Sequence, residues 1–441
     1  MSALDRWFAI TARGSTVGRE IQGGLATFLT MSYILVANPA ILSLAGVPLA
    51  PAVASTAVAA GISCLLMGLW ANFPLALASG MGLNAVVALQ LTKVTHSWQT
   101  AMGLIVLDGA VILVLVLAGV REAMMEAIPR DLRRAIGAGI GLFIAFIGAV
   151  NARLVVVPTG TLFELSKNSK AIMPPVGPGS LASAETAVAM VGLVLTAWLM
   201  ARRFRGAILL GIAGGTVLGQ VAGIASKPGA FGWPDFSLIG QVDVWGACKL
   251  AYVPLLLAVL MVDFFDTLGT VTAIAEAAKL TDEDGRVPGI REILIVDSIA
   301  AAIGGFCGAS SVTSYIESAA GVAEGARTGL HSVVTGVLFL AAAFLAPLAA
   351  TIPAAATAPA LMLVGFLMCE PLSKIDFNEL ETAIPAFITL VTLPFTYSIT
   401  HGIGFGFITY VVIQVMSGKA RAVHAMMYGA TALFAVYFVI G

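Results

Sequence analysis

Long apolar runs separated by short polar stretches dominate the chain. Apolar runs of about 17 to 25 residues are long enough to cross a bilayer as helices. The pattern predicts fourteen such spans, near 20–44, 51–71, 76–92, 99–119, 134–153, 184–202 and 206–225, then 250–274, 290–308, 312–325, 328–350, 354–371, 382–399 and 402–417. Another apolar run follows at 422–440. The sequence therefore predicts an all-α protein that crosses the membrane many times and has an extra C-terminal helix.

The composition agrees with this pattern and excludes several function classes. Of 441 residues, 59% are hydrophobic and 11% are charged, whereas roughly a quarter of the residues in soluble proteins are charged. The formal net charge of −1 provides no basic excess to neutralise phosphates, so nucleic acid is not an expected partner. The cysteines and histidines show no metal-binding spacing, so no metal site is predicted. Membrane lipid is the expected environment.

The distribution of basic residues predicts the orientation of the chain. Lys and Arg are enriched in the cytoplasmic loops of membrane proteins. With the N-terminus placed in the cytoplasm, seventeen of the 23 basic residues fall on the inner side and six on the outer side. We therefore expect a multi-pass protein of the cell inner membrane with a cytoplasmic N-terminus.

The two halves of the chain resemble copies of one another. Ile128-Pro129 precedes a span that contains Gly141, and Ile352-Pro353 precedes a span that contains Gly365, both at an offset of 224 residues. An odd number of spans per copy would invert the second copy in the membrane, as in many secondary transporters. We predict repeats at 1–225 and 226–421 and a C-terminal helix at 422–441, with chance similarity between apolar runs as the alternative.

The third and tenth predicted spans are short and interrupted. Ser79-Gly80-Met81-Gly82 breaks the third span, and Ser310-Ser311 with Thr313-Ser314 breaks the tenth. Irregular backbone at membrane depth requires protein or a water-filled cavity to satisfy its polar groups. The two breaks therefore predict the position of a binding site.

Ionisable residues inside spans are further candidates, because each costs roughly 2.5 to 3.5 kcal/mol to insert. Asp263 and Asp266 share a face of the eighth span, Glu317 lies in the tenth, Asn84 in the third and Asp297 in the ninth. The third, eighth and tenth spans contain no Lys or Arg, so a carboxyl there can carry a proton. A protonated acid, like Asn84, both donates and accepts hydrogen bonds, which suits the edge of a heterocyclic base. The alternative role is to cap broken helix ends or to bond neighbouring Ser and Thr hydroxyls, and it is most open for Asp266 and Asp297.

At these residues the sequence resembles the nucleobase:cation symporter-2 family, in its azaguanine-type branch of adenine and guanine/hypoxanthine permeases. The similarity runs nearly end to end. The most specific segments are Gly80-Met-Gly-Leu-Asn-Ala85, Asp263-Phe-Phe-Asp-Thr-Leu-Gly269, Thr313-Ser-Tyr-Ile-Glu-Ser-Ala-Ala-Gly-Val322, Gly325-Ala-Arg-Thr-Gly329 and Leu393-Pro-Phe-Thr-Tyr-Ser398.

The resemblance implies a uracil-transporter-like fold of fourteen transmembrane segments in two inverted repeats of seven. A core domain would comprise spans 1–4 and 8–11, and a gate domain would comprise spans 5–7 and 12–14. The third and tenth spans would each begin with a short strand, and the substrate would lie between the strands. The apolar run at 422–440 is a departure, because it lies beyond the fold of the family.

The resemblance also implies roles for individual residues. Asp263 and Glu317 would be the principal ligands of the purine, Asn84 and Gly82 would shape the site, and Asp266 would support them. The predicted substrate-binding residues are Asp263, Glu317, Asn84, Gly82, Phe264 and Ser314, and the predicted proton-coupling residues are Glu317, Asp263 and Asp266.

The implied function is the import of a purine nucleobase by proton symport with alternating access. The proton would be the coupling ion, and no cofactor and no catalytic residue are expected. A sulfate or dicarboxylate carrier of the same fold is one alternative, although acids at the site would repel anions. An intramembrane aspartyl protease is another, but its Gly-x-Gly-Asp signature is absent from the sequence. The preferred purine and a homodimeric state are left open.

Overall fold

The computed structural model describes residues 3–119, 128–156, 176–204, 206–224, 233–281, 287–346 and 352–440. Within these ranges, seven helical segments are long and apolar enough to cross a membrane: Val17–Ala45, Leu49–Ala71, Trp98–Leu117, Arg130–Asn151, Ala184–Ala201, Gly329–Ala346 and Ala354–Lys374. Shorter apolar helices accompany them. The chain is thus a helical protein with several apolar helices, and the count of fourteen spans stays a prediction.

The first half of the chain contains ten α-helices and three strands in its described residues. They are α1 (Ala3–Phe8), α2 (Val17–Met31), α3 (Ile34–Leu42), α4 (Leu49–Leu66), β1 (Leu77–Ser79), α5 (Met81–Val86), α6 (Thr92–Thr95), α7 (Trp98–Leu117), α8 (Arg130–Asn151), β2 (Val155–Val156), β3 (Gly177–Pro178), α9 (Ala184–Ala201) and α10 (Ala207–Val221). Two π-helical segments, Met67–Ala71 and Val87–Leu91, follow α4 and α5. The predicted first span is therefore two helices, because the chain turns at Ser32 and Tyr33.

The second half continues with nine α-helices and one strand among the described residues. They are α11 (Val244–Ala247), α12 (Val253–Ala277), α13 (Ile290–Cys307), β4 (Val312–Ser314), α14 (Ser318–Ala323), α15 (Gly329–Ala342), α16 (Ala354–Leu367), α17 (Leu380–Phe395), α18 (Ile399–Met416) and α19 (Ala425–Ile440). The C-terminal helix α19 packs on α18, and the rings of Phe407 and Phe434 lie 5.8 Å apart edge to face. The apolar run at 422–440 is thus helical and covers α18.

The two interrupted spans meet as a pair of short antiparallel strands. In β1 and β4, Leu77 lies opposite Ser314 and Ser79 opposite Val312. The pairing extends past both ends, because Gly80 N donates to Ser311 O at 2.9 Å and Tyr315 N donates to Ala76 O at 3.0 Å. Each strand is followed by a short helix, α5 after β1 and α14 after β4. The buried backbone of each break is therefore satisfied by the other break.

Several long helices of the first half of the chain pack against helices of the second half. Helix α4 packs on α15 and α7 packs on α13, while α8 packs on α16 and α17. Gly141 of α8 and Gly365 of α16 face each other, since a Cβ built on either would meet the carbonyl oxygen of the other. These two glycines are the pair that the offset of 224 residues makes equivalent. Such a reciprocal contact is expected where a pseudo-two-fold axis passes between two helices.

The close approach of α8 and α16 is testable by adding a single methyl group. In Gly141→Ala, the new Cβ would meet Gly365 O and the Met368 side chain, so we expect a loss of about 1 to 3 kcal/mol of stability. Gly137→Ala, on the same helix with nothing within 4 Å of its Cβ, is the matched control and should be neutral or slightly stabilising. Thermal unfolding in detergent measures both; equal melting temperatures would contradict the packing.

Candidate functional site

Asp263 is fixed beside the start of β4. It lies on α12, and its side chain is 1% exposed. The Ser311 hydroxyl donates to Asp263 Oδ2 at 2.7 Å, and Ser311 directly precedes β4. A hydrogen bond therefore connects the predicted acid of the eighth span to the break in the tenth span.

Glu317 lies just beyond the other end of β4 and is the N-cap residue of α14. The residue as a whole is partly buried. Its Oε1 accepts a hydrogen bond from the Tyr33 hydroxyl at 2.8 Å, and Tyr33 occupies the turn between α2 and α3. Sequence analysis did not identify Tyr33, because a single tyrosine in an apolar span has no distinguishing pattern. The turn within the first span thus brings the Tyr33 hydroxyl within hydrogen-bond distance of the Glu317 carboxyl in the tenth span.

Asn84 is fully buried on α5, close to the end of β1. Its Nδ2 lies 3.5 Å from Ser79 O, which is a weak contact, and Ser79 O also accepts from the Tyr315 hydroxyl at 2.5 Å. The Asn84 Oδ1 atom is buried and has no hydrogen-bond partner among the described residues. Because an unsatisfied buried carbonyl oxygen is costly, this atom is suited to accept a hydrogen bond from a bound ligand.

Asp297 lies on α13 and connects this helix to α12 and β4 through hydrogen bonds. The carboxyl is 2% exposed, and it accepts from the Thr267 hydroxyl of α12 at 2.7 Å and the Ser314 hydroxyl of β4 at 3.0 Å. Thr267 also contacts the Thr313 hydroxyl at 3.0 Å. Asp297 therefore holds β4 against α12 and α13. This contact pattern agrees with its alternative role of bonding neighbouring Ser and Thr hydroxyls. The hydroxyl of Ser314, a predicted substrate contact, is directed at this carboxyl.

Gly82 lies where α5 touches α8. A Cβ at Gly82 would meet Ile140 of α8, so any larger residue would separate the two helices. The other two predicted site residues, Phe264 and Asp266, lie on α12, but their side chains fall outside the described part of the structure. Their predicted roles stay predictions.

The polar groups thus approach the strand pair from both ends. Asp263 and Asn84 lie at the end formed by Ser79 and Ser311, and Glu317 lies at the end where Ala76 N donates to the Ser318 hydroxyl at 2.9 Å. A three-residue strand is about 7 Å long between its first and last Cα atoms. The described residues contain no cluster of three His, Cys, Asp or Glu side chains that could hold a metal ion. The arrangement offers hydrogen bonds and exchangeable protons to a neutral polar ligand.

Comparisons with known proteins identify the family to which the chain belongs. A family model described as a permease family matches residues 18–405. The chain is 38% identical to the guanine/hypoxanthine permease PbuG of Bacillus subtilis, with 99% of each chain covered. It is also 38% identical to the adenine permease AdeQ of Escherichia coli, with 99% of this chain and 96% of that chain covered.

The fold is also similar to that of a solved transporter. The transmembrane domain of the cyanobacterial bicarbonate transporter BicA matches with a TM-score of 0.60, and the match covers 91% of this chain and 97% of that chain. At 16% identity this likeness concerns the fold alone. The relatives are permeases, so the family predicted from the sequence is confirmed and the protein is a transporter. The chain is a multi-pass membrane protein that belongs to the nucleobase:cation symporter-2 family of purine permeases.

Proposed function

We propose that the protein imports a purine base together with a proton by alternating access. The observation that carries the proposal is the placement of Glu317, Asp263 and Asn84 around one pair of membrane-embedded strands. Relatives with 38% identity over nearly the whole chain are named for the transport of adenine and of guanine/hypoxanthine. The substrate class follows from that similarity, and the residues follow from the site.

The hydrogen-bonding groups of the site match the edges of a purine. Purine rings carry N–H donors and ring-nitrogen acceptors, so a ligand site needs both kinds of partner. The Asn84 Oδ1 atom accepts, an ionised carboxylate accepts at both oxygens, and a protonated carboxyl also donates. Glu317 and Asp263 are the principal ligands in this proposal, with Asn84 and Gly82 shaping the site. Phe264 would stack on the ring, and Ser314 would contribute through its link to Asp297.

The proton provides both neutralisation and driving force. An ionised carboxyl without a bound cation is costly inside the membrane, so the site is most easily moved when one acid is protonated. Inward proton movement contributes about 2.3 kcal/mol per charge for each 100 mV of membrane potential. Glu317 and Asp263 are the leading carriers of this proton, and Asp266 is the third candidate.

Alternating access would arise from movement between two domains. The proposed core domain contains spans 1–4 and 8–11 with the strand pair, and the proposed gate domain contains spans 5–7 and 12–14. Their boundary passes between Gly82 on α5 and Ile140 on α8, where only glycine leaves room for the contact. A smooth boundary of this kind supports sliding of one domain past the other. We further propose the inner membrane as the location, with the N-terminus in the cytoplasm.

Uptake by purified protein in liposomes tests substrate, coupling and site together. With an imposed inside-alkaline pH gradient, the wild type should accumulate a labelled purine, and excess unlabelled purine but not sulfate should compete. Glu317→Gln and Asp263→Asn should each reduce uptake at least tenfold, because loss of a charge-assisted hydrogen bond costs roughly 1.5 to 3 kcal/mol.

Glu370→Gln is the control for loss of a carboxylate. Glu370 is exposed and forms an ion pair of 2.8 Å with Lys374, four residues along the chain. Loss of the Glu370 charge should therefore leave uptake unchanged. Competition by sulfate, or uptake indifferent to the gradient, would contradict proton-coupled purine transport. Normal uptake by both site variants would contradict the site while leaving the substrate intact.

The orientation is testable with the native thiols. Cys248 is exposed, and the proposed orientation places it outside, whereas Cys64 and Cys307 are buried. A membrane-impermeant maleimide applied to intact cells should therefore modify Cys248 but not a Cys248→Ser variant. Modification of Cys248 only after the cells are opened would invert the proposed orientation.

A further inference from the structure

A hydrogen-bonded chain connects the third span to the start of α18, away from the strand pair. The Gln90 amide donates to Ser398 Oγ at 2.7 Å. Ser398 Oγ lies 2.7 Å from His401 Nδ1 and also accepts from the His401 backbone N–H at 3.2 Å. Gln90 is 7% exposed and belongs to the π-helical segment Val87–Leu91. In the proposed domain division, Gln90 is on the core and the other two residues are on the gate.

The number of hydrogen-bond donors around the Ser398 hydroxyl determines which protonation state of His401 fits the contact. A hydroxyl oxygen has one proton to donate and two lone pairs to accept with. The amide of Gln90 and the backbone N–H of His401 fill both lone pairs, so the hydroxyl proton is directed at His401 Nδ1. That nitrogen must then be the acceptor nitrogen of a neutral imidazole ring. With His401 neutral, the Ser398 hydroxyl donates its proton and accepts two hydrogen bonds.

Protonation of His401 would disrupt this arrangement. In the imidazolium ion both ring nitrogens carry protons, so Nδ1 becomes a third donor aimed at the same hydroxyl oxygen. Three donors then compete for two lone pairs, and because the Gln90 amide presents its N–H to Ser398, the hydroxyl proton loses its acceptor. The backbone N–H is fixed by α18 and Nδ1–H carries the charge, so the neutral amide of Gln90 is the bond that weakens.

We propose that Gln90, Ser398 and His401 form a proton-sensitive latch that holds core and gate together on the outer side. Acid outside the cell would protonate His401, release Gln90 and favour opening toward the outside. The inference rests on the proposed function, because it assumes the core and gate division and the orientation given above. Opening would then be favoured on the side from which the proton and the purine enter.

Aromatic rings pack around the His401 side chain. Its ring stacks on Phe438 of α19 at 5.0 Å with an interplanar angle of 10°, and Phe405 lies 6.4 Å away. The C-terminal helix therefore covers one face of the ring.

Other titratable groups of the packed helices contact different partners. Lys419 binds Glu381 at 2.7 Å and the Tyr428 hydroxyl donates to Ala420 O, both at the opposite end of α18. The Tyr397 ring faces Phe143. On α12, Asp263 accepts from Ser311, and the side chain of Asp266 lies outside the described residues.

Alkylation of a cysteine at the domain boundary measures the latch directly. The parent for this assay carries Ile140→Cys, at a site that is 3% exposed and faces Gly82, and it lacks Cys64, Cys307 and Cys369 but retains Cys248. Right-side-out vesicles receive an impermeant maleimide at pH 5.5 and pH 7.5, without purine or gradient. Exposed Cys248 is on the same proposed side, so the ratio of labelling at position 140 to labelling at Cys248 corrects for the intrinsic pH dependence of thiols.

The latch predicts a different result for each variant. The labelling ratio of the parent should be about fivefold higher at pH 5.5 than at pH 7.5, the effect of losing one hydrogen bond. His401→Asn retains an acceptor but cannot be protonated, so its ratio should stay low at both pH values. Gln90→Leu and Ser398→Ala remove the bond, so their ratios should be high at both; Gln90→Leu leaves the cap of α18 intact.

Two results would overturn the latch: pH-dependent labelling that persists in His401→Asn, or labelling in Gln90→Leu and Ser398→Ala that equals that of the parent. Labelling of Cys248 in every variant verifies that the protein is present in the vesicles and that the reagent reaches it. Because the assay needs neither substrate nor gradient, its outcome is separate from that of the proposed function. A protein that shows the latch but moves no purine would refute purine transport alone.

Discussion

The structure depends on one constraint, the need to satisfy broken backbone inside a membrane. Each unpaired N–H or C=O group in the bilayer core costs several kcal/mol. Here the breaks of two distant spans satisfy each other as β1 and β4, and the bonds at Gly80 and Tyr315 extend the pairing beyond both strands. Because the strands come from opposite halves of the chain, neither half can form this site alone. The candidate site is therefore also the place where the two halves of the chain are joined.

Side chains around the strand pair fix its position. Asp297 holds β4 through Ser314 and Thr267, while the Ser332 hydroxyl donates to Phe73 O at 2.7 Å, just before β1. Helix α5 begins directly after Gly80, whose N–H is bonded to Ser311 O, and α14 begins three residues after Tyr315, whose N–H is bonded to Ala76 O. In the proposed function, a frame of this kind would keep Asp263, Asn84 and Glu317 in position while protons and ligands exchange.

The sequence made some of these features predictable and concealed others. The breaks in the third and tenth spans were predictable, because Gly and Ser interrupt apolar runs there, and the embedded acids were predictable from their insertion cost. The partner of Glu317 was not predictable: Tyr33 is 284 residues away and reaches it only through a turn inside an apolar run. The direction of the Ser314 hydroxyl toward Asp297 likewise depends on how β4 is oriented, which spacing alone does not determine.

Proton-coupled import requires that one carboxyl at the strand pair carry a proton inward with each purine. The most direct measurement is the lumenal pH of proteoliposomes with no imposed gradient, followed with a trapped pH-sensitive dye after addition of purine outside. Purine should acidify the lumen of liposomes that contain the wild type, and this acidification should be absent in Glu317→Gln. Entry of labelled purine without any change in lumenal pH would show that no proton accompanies the purine.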